Sequence, residues 1–188
     1  MVNYIDKQID NVASYLQRKN NLDHIAFLKV RLGLQVVVNN AAKTIVTYGF
    51  ALLLNIFLYT LIVHLSYFML RRFSHGAHAK SSLLCHVQSV VLFVLLPWLI
   101  SHYDISSILI YGTALICMII VIRYAPAATI KQPIPQHLRR GKKIKSIIAT
   151  CILIFISIWI PQPYQYLIIL GILLQAVSLL PIFFPKEE

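Results

Sequence analysis

The chain is predicted to be all-α: a polytopic membrane protein of about six transmembrane helices, some re-entrant or interfacial, with an N-terminal amphipathic helix. Three observations predict this. The 188 residues are 59% hydrophobic and 12% charged, whereas soluble domains are about 45–50% apolar and about 25% charged. Long apolar runs, each near the roughly 20 residues a helix needs to cross hydrocarbon, follow one another with short polar links. Lys and Arg gather in two of those links and avoid the ones between. About six spans use up the chain, so residues 1–188 read as a single membrane-embedded domain.

Residues 3–20 place Tyr4, Ile5, Ile9, Val12, Tyr15 and Leu16 at helical spacing among Asp, Lys and Arg. Such a helix lies on a membrane surface or packs on the protein. Asn20 and Asn21 end it. The polar start lacks the apolar core of a cleavable signal, so the first strongly hydrophobic segment is expected to direct insertion.

Residues 24–42 are weakly apolar and carry Lys29 and Arg31. Each costs about 2.5–3.5 kcal/mol near a helix centre unless it snorkels or faces protein. Five clearer segments follow at approximately 44–70, 83–100, 105–122, 146–160 and 164–184. Their links at Ser101–Asp104 and Pro161–Pro163 are short enough to force hairpins. With 24–42 as a polar first span, six spans leave both termini cytoplasmic. The alternative is an interfacial helix followed by a broken or re-entrant 44–70 segment, with Asn55 as the expected break. The Pro126, Pro133 and Pro135 region reads as a stiff extended loop, because Pro disfavours helix in the residue before it.

Charge sets the orientation. The 71–82 link holds Arg71, Arg72 and Lys80, and the 123–145 link holds Arg123, Lys131, Arg139, Arg140, Lys142, Lys143 and Lys145. Ser101–Asp104 has neither Lys nor Arg. Both basic links are therefore expected in the cytoplasm and both hairpins outside. The net charge is +11, from 17 Lys and Arg against 6 Asp and Glu. In so apolar a chain this points to anionic membrane lipid as partner and away from nucleic acid. Basic loops also suit an acidic peptide.

Cys117 and Cys151 lie in apolar runs, where a thiol behaves as a small hydrophobe. An odd count of three, with no CxxC pair, argues against structural disulfides. Cys85 differs, since His75, His78 and His86 surround it in a polar break between two spans. Ionisable groups at membrane depth tend to be functional. Cys85 is the candidate nucleophile and His78 the candidate base. On one unbroken helix they would stand about 10.5 Å apart in rise, too far for the roughly 3 Å hydrogen bond the chemistry needs. The backbone must turn between them. Gly76 permits a turn, and Ser81 or Ser82 can cap a new helix. That helix would hold Cys85 in or beside its first turn, where unpaired N–H groups and the positive dipole end favour a thiolate and an oxyanion. Gln88, Ser81, Asp23 and Asp104 are candidate orienting groups for the base. Two other readings stay open on these residues: a metal site from His75, His78 and Cys85, and a cysteine and histidines without catalytic work. The singly placed His24, His64, His102 and His137 read as packing or interfacial residues.

The stretch Arg71-Arg72, His75-Gly76-Ala77-His78-Ala79, Ser81-Ser82 and Cys85 resembles the accessory gene regulator B (AgrB) family of Gram-positive quorum-sensing systems. Further likeness lies in Asn20–His24, Val30–Gly33, Tyr124–Thr129, Pro133–Pro135 and Leu179–Phe184, so it covers nearly the whole chain in order. The resemblance implies a multi-pass cysteine endopeptidase of the cell membrane, with the family's catalytic cysteine and histidine at Cys85 and His78. It implies as substrate a small membrane-associated propeptide, AgrD-like, whose acidic C-terminal tail is removed while a cyclic thiolactone is made. It implies no cofactor and no metal, and it allows a homodimer, with no self-association motif evident. The chain departs from the family pattern at Lys80, where relatives have Pro, and at Gln88, where they have an acid. A catalytic part for that acid is thereby put in doubt here. A non-enzymatic membrane carrier or exporter of a peptide, gated by 71–86, is the alternative from another class.

Overall fold

The structure, a computed structural model, describes residues 2–77, 82–128 and 134–183, and every regular element among them is helical. It divides into two compact units, residues 1–46 and 47–188.

The first unit holds α1 (Val2–Asn20) and the start of α2 (His24–Leu53). Asn21 adopts a left-handed φ of 48°, and the Leu22 N–H donates back to the Gln17 carbonyl at 3.1 Å. This closes α1 as a left-handed helix cap does. Asp23 then opens α2, its Oδ1 accepting the Ala26 N–H at 2.8 Å. The reversal sets Arg31 against the Asp10 carboxylate and Gln35 Nε2 3.4 Å from Asp6 Oδ1. These pairs advance by four residues in opposite directions, the register of an antiparallel helix pair. Ile9 and Ala13 are buried on the same helix. Arg31 thus avoids standing alone in an apolar helix by facing an acid.

One expectation is corrected here. No boundary separates 24–42 from 44–70, because Ala41, Ala42 and Lys43 are good helix formers and α2 runs through them to Leu53. The break falls at Asn55, with φ of 56°, where Ile56 N–H donates to Ala51 O at 2.9 Å. That is the alternative position for it.

The second unit contains α3 (Phe57–Ser74), α4 (Ser82–Val90), a π-helical turn (Val91–Leu95), α5 (Leu96–Ile100), α6 (Ser107–Tyr124), α7 (Gln136–Trp159), α8 (Tyr164–Ser178) and a 3₁₀ turn (Pro181–Phe183). The π turn has a cause in Pro97, which lacks an N–H and crowds the carbonyl four residues back. Widening the preceding turn, with Leu96 N–H donating to Val91 O, absorbs the misfit. The α7 helix begins at Gln136, earlier than the apolar run starting at 146, because the intervening Lys and Arg are themselves good helix formers. Ala125 after α6 is extended, as Pro126 demands.

The α8 helix is apolar on nearly every side and is accordingly the central one, buried from Gln165 to Ile172 among α3, α6 and α7. Gly171 permits its closest approach. A Cβ there would stand 2.6 Å from both Ser66 Cβ and the Val63 carbonyl of α3. Small residues at a crossing let helices meet backbone to backbone. The outward faces of α6 and α7 expose Ile108, Leu115, Ile119, Ile148, Phe155 and Trp159. An apolar surface of this extent suits lipid.

Among the described residues two helices, His24–Leu53 and Ser107–Tyr124, are long and apolar enough to cross a membrane, while Leu84–Ile100 and Tyr164–Ser178 are shorter apolar helices. The count of about six spans is not reached on that measure. The charge pattern does have a counterpart in space. Ala127 N–H donates to Ser74 O at 2.9 Å, and Ala77 N–H donates to Ser178 O at 3.0 Å. With Lys142 of α7 also bonded to His75 Nε2, the ends of α3, α6 and α8 and the start of α7 meet, so the described basic residues of both links lie at one end. The two hairpins lie at the other end, where Gln162 Nε2 donates to Ile105 O at 3.1 Å.

Candidate functional site

The site grows from the end of α3. His75 leaves the helix with φ of 57° and ψ of −136°, its N–H still donating to Arg71 O, and Gly76 follows with φ of 124°. Two successive residues of positive φ swing the chain out of line, and glycine supplies the second without strain. This turn lies just before His78 in the chain; residues 79–81, between His78 and the helix of Cys85, lie outside the described residues.

Backbone groups around the turn are matched one by one, as they must be where water is scarce. Ala127 N–H donates to Ser74 O, and Gly76 N–H returns the bond to Ala127 O at 3.2 Å, a one-residue parallel bridge. Ala77 N–H goes to Ser178 O, and Ala77 O accepts Arg71 Nη2 at 2.8 Å. The His75 carbonyl accepts Gln175 Nε2. A Cβ on Gly76 would lie 2.6 Å from Ser178 Oγ and 3.2 Å from Gln175 Nε2, so α8 presses directly on the turn. Lys142 of α7 donates its ammonium to His75 Nε2.

Arg71 ties this turn back to α3 and across to α8. Its Nη1 reaches Tyr67 OH at 2.5 Å and Gln175 Oε1 at 3.3 Å, and its guanidinium lies 5.3 Å over the Tyr67 ring. Tyr67 in turn is within electrostatic range of Cys85. Cys85 is the fourth residue of α4, half-buried, and its carbonyl accepts Ser89 Oγ at 2.8 Å. Cys85, Ser89 and Phe93 recur every four residues. Ser89 is buried, and Phe93 packs against Tyr67 and His64 with centroids 5.0 and 4.6 Å apart. The thiol therefore stands on the face of its helix that is turned to α3. Cys85 thus lies at the first turn of α4, where backbone N–H groups without a helical partner are available to an oxyanion.

His78, the candidate base, and Ser81 lie outside the described residues. Of the other orienting candidates, Gln88 is exposed on α4, Asp23 is occupied in capping α2, and Asp104 belongs to the hairpin at the opposite end. Among the described residues no three His, Cys, Asp or Glu side chains converge to hold a metal ion. His64 is a packing residue, stacked on Phe93 with Nδ1 3.0 Å from Tyr48 OH, and His102 Nδ1 meets Trp98 O at 2.7 Å. Cys117 is buried in the core and Cys151 exposed on α7, and neither is disulfide-bonded. Sequence reasoning missed Gln175, Ser178, Tyr67 and the bracing role of Arg71. One signal was present in Gln175, a polar residue inside an otherwise apolar run.

The family model described as accessory gene regulator B matches residues 9–179. Accessory gene regulator protein B of Staphylococcus haemolyticus is 60% identical over 184 residues, 98% of each chain. That of Staphylococcus saprophyticus is 57% identical over 188 residues, the whole of both. The Staphylococcus carnosus protein is 51% identical over 187 residues, covering 100% of this chain and 98% of its own. No solved structure matches significantly. A family match across most of the chain and full-length identities above one half leave one conclusion: the chain belongs to the accessory gene regulator B family.

Proposed function

We propose that the protein is a membrane cysteine endopeptidase that removes the acidic C-terminal tail of an AgrD-like quorum-sensing propeptide and promotes thiolactone formation. The observation that carries this reading is the placing of Cys85. It stands at the first turn of a helix, on the face turned to α3, with Tyr67 in electrostatic range and Arg71 bracing the peptide immediately before His78.

Cys85 Sγ attacks the scissile carbonyl while His78 takes the thiol proton. The tetrahedral oxyanion is held by N–H groups of the first helical turn. Collapse breaks the peptide C–N bond, and His78 returns its proton to the departing amine. The upstream fragment remains as a Cys85 thioester. A thiol of that fragment then attacks, one thioester replaces another, and the Cys85 thiolate leaves. Exclusion of water until then favours the ring over hydrolysis.

The basic end of the bundle suits an acidic tail. The first two turns of α7 carry Arg139, Arg140, Lys142 and Lys143 and no acid in the first turn. Cations at the positive end of a helix dipole repel it, and an anionic partner would relieve that. By the positive-inside rule this end is cytoplasmic, which puts the peptidase site there too.

Purified protein in bilayers, given the propeptide, should release the acidic tail and show a mass increase on Cys85 equal to the upstream fragment. Cys85→Ser and His78→Ala should each abolish release while Cys85→Ser still binds the propeptide. Tail release by Cys85→Ser would end the proposal and favour an accessory or carrier role.

A further inference from the structure

We infer that Gln175 is a positioning residue for the peptidase reaction, holding from α8 the turn that leads into His78; the inference rests on the peptidase reading above. Gln175 is fully buried, and its amide is used completely. The two hydrogens of Nε2 go to Ser74 Oγ at 2.8 Å and to the His75 carbonyl, while Oε1 accepts Arg71 Nη1 at 3.3 Å. Ser74 passes its own proton to Leu70 O at 2.8 Å, so it accepts from the amide.

No partner of this amide lies on α8 itself. All three belong to α3 and the turn after it, about one hundred residues earlier in sequence. Apart from Ser178, its neighbours on α8 are apolar, and a leucine would serve helix packing alone at that position. What the amide adds is a fixed place for the His75 carbonyl and for Arg71. Arg71 in turn holds Ala77 O, the carbonyl that precedes His78 in the chain, and donates to Tyr67 OH. One side chain therefore fixes, directly and through Arg71, the backbone that leads into His78. Gly76 completes the fit, since the turn presses so closely on Gln175 and Ser178 that a β-carbon has no room.

The test compares Gln175→Glu, which keeps size and a partner for Arg71 but removes both N–H donors, with Gln175→Leu, in the full chain reconstituted in bilayers. Cys151→Ser serves as the background for alkylation, with Cys85 labelling by iodoacetamide read by peptide-resolved mass spectrometry from pH 6 to 9. A displacement of about 1 Å in a catalytic constellation costs on the order of 100-fold. Gln175→Glu should accordingly lower kcat by about 100-fold with KM within about twofold. Its Cys85 labelling profile should move toward that of His78→Ala. In a His78→Ala background the same substitution should add nothing, because Gln175 acts through that residue. Wild-type labelling and turnover in Gln175→Glu, with the His78→Ala profile shifted, overturns the inference and leaves the peptidase reading standing. Unchanged labelling in His78→Ala removes the peptidase reading and the inference with it. Parallel loss of turnover and of folded protein in both Gln175 variants, beside a folded Ile169→Ala control on the same helix, assigns Gln175 a structural role and also overturns it.

Discussion

Gly76→Ala isolates the turn from the rest of the molecule. At φ of 124° an L-residue is strained, by about 1–3 kcal/mol. The added methyl also meets Ser178 Oγ at 2.6 Å, well inside the 3.4 Å at which ordinary contact begins, with Ser178 O and Gln175 Nε2 at 3.2 Å. Overpacking of this kind costs about 1–3 kcal/mol. The combined strain of about 2–6 kcal/mol bears first on the two bonds made by the turn's own N–H groups, Gly76 N–H to Ala127 O and Ala77 N–H to Ser178 O, each worth about 0.5–1.5 kcal/mol. The turn should therefore give way before the helices do. Releasing even 2 kcal/mol by unlatching shifts the population about 30-fold. Where the strain exceeds the bonds lost by that amount, propeptide cleavage in proteoliposomes should fall by about that factor while the thermal midpoint of the bundle changes little. Adding Ser178→Gly removes the closest clash but not the dihedral strain, so it should restore activity in part. Full activity in Gly76→Ala, or no recovery in the double variant together with a collapsed thermal transition, would refute the reasoning.

Three further outcomes are expected. Gly171→Ala forces α8 off α3, because the closest atoms include the Val63 carbonyl, which cannot rotate away; thermal unfolding should show a loss of about 1–3 kcal/mol, and an unchanged midpoint would mean the crossing is looser than described. Within the N-terminal unit, Asp10→Arg should promote proteolysis of α1, and combining it with Arg31→Asp should restore protection; equal cleavage of the single and double variants would deny that the pair sets the hairpin register. Reversing Arg139 and Arg140 to Glu should raise KM for the acidic tail with kcat preserved and flatten its dependence on salt; an unaltered KM would leave those charges to orientation in the membrane alone.

Much of the fold could be read from the chain because its signals are local. The Asn20–Asn21 stop and the helix starting at Ser82 each rest on the conformational preference of one or two residues and stand where expected, and the Asn55 break stands where the alternative reading put it. The described Lys and Arg on either side of the His75–Gly76 turn and at the start of α7 lie at one end of the bundle. The false boundary at 42–44 arose because hydropathy dips there while helix propensity does not. The start of α7 was misplaced for the same reason, since Lys and Arg lower hydropathy and still propagate helix.

The sequence alone determined the candidate nucleophile and base, from residue identity and spacing within a dozen positions, and the family, from motifs spread along nearly the whole chain. Only tertiary structure decided what holds the turn at His75 and Gly76. Gln175 and Ser178 reach it from α8, Ala127 from the link after α6 and Lys142 from α7. Hydrogen bonds between residues so far apart leave no periodic or compositional trace. They exist because a polar turn in an apolar bundle must have every donor and acceptor matched by whatever helix packing brings beside it.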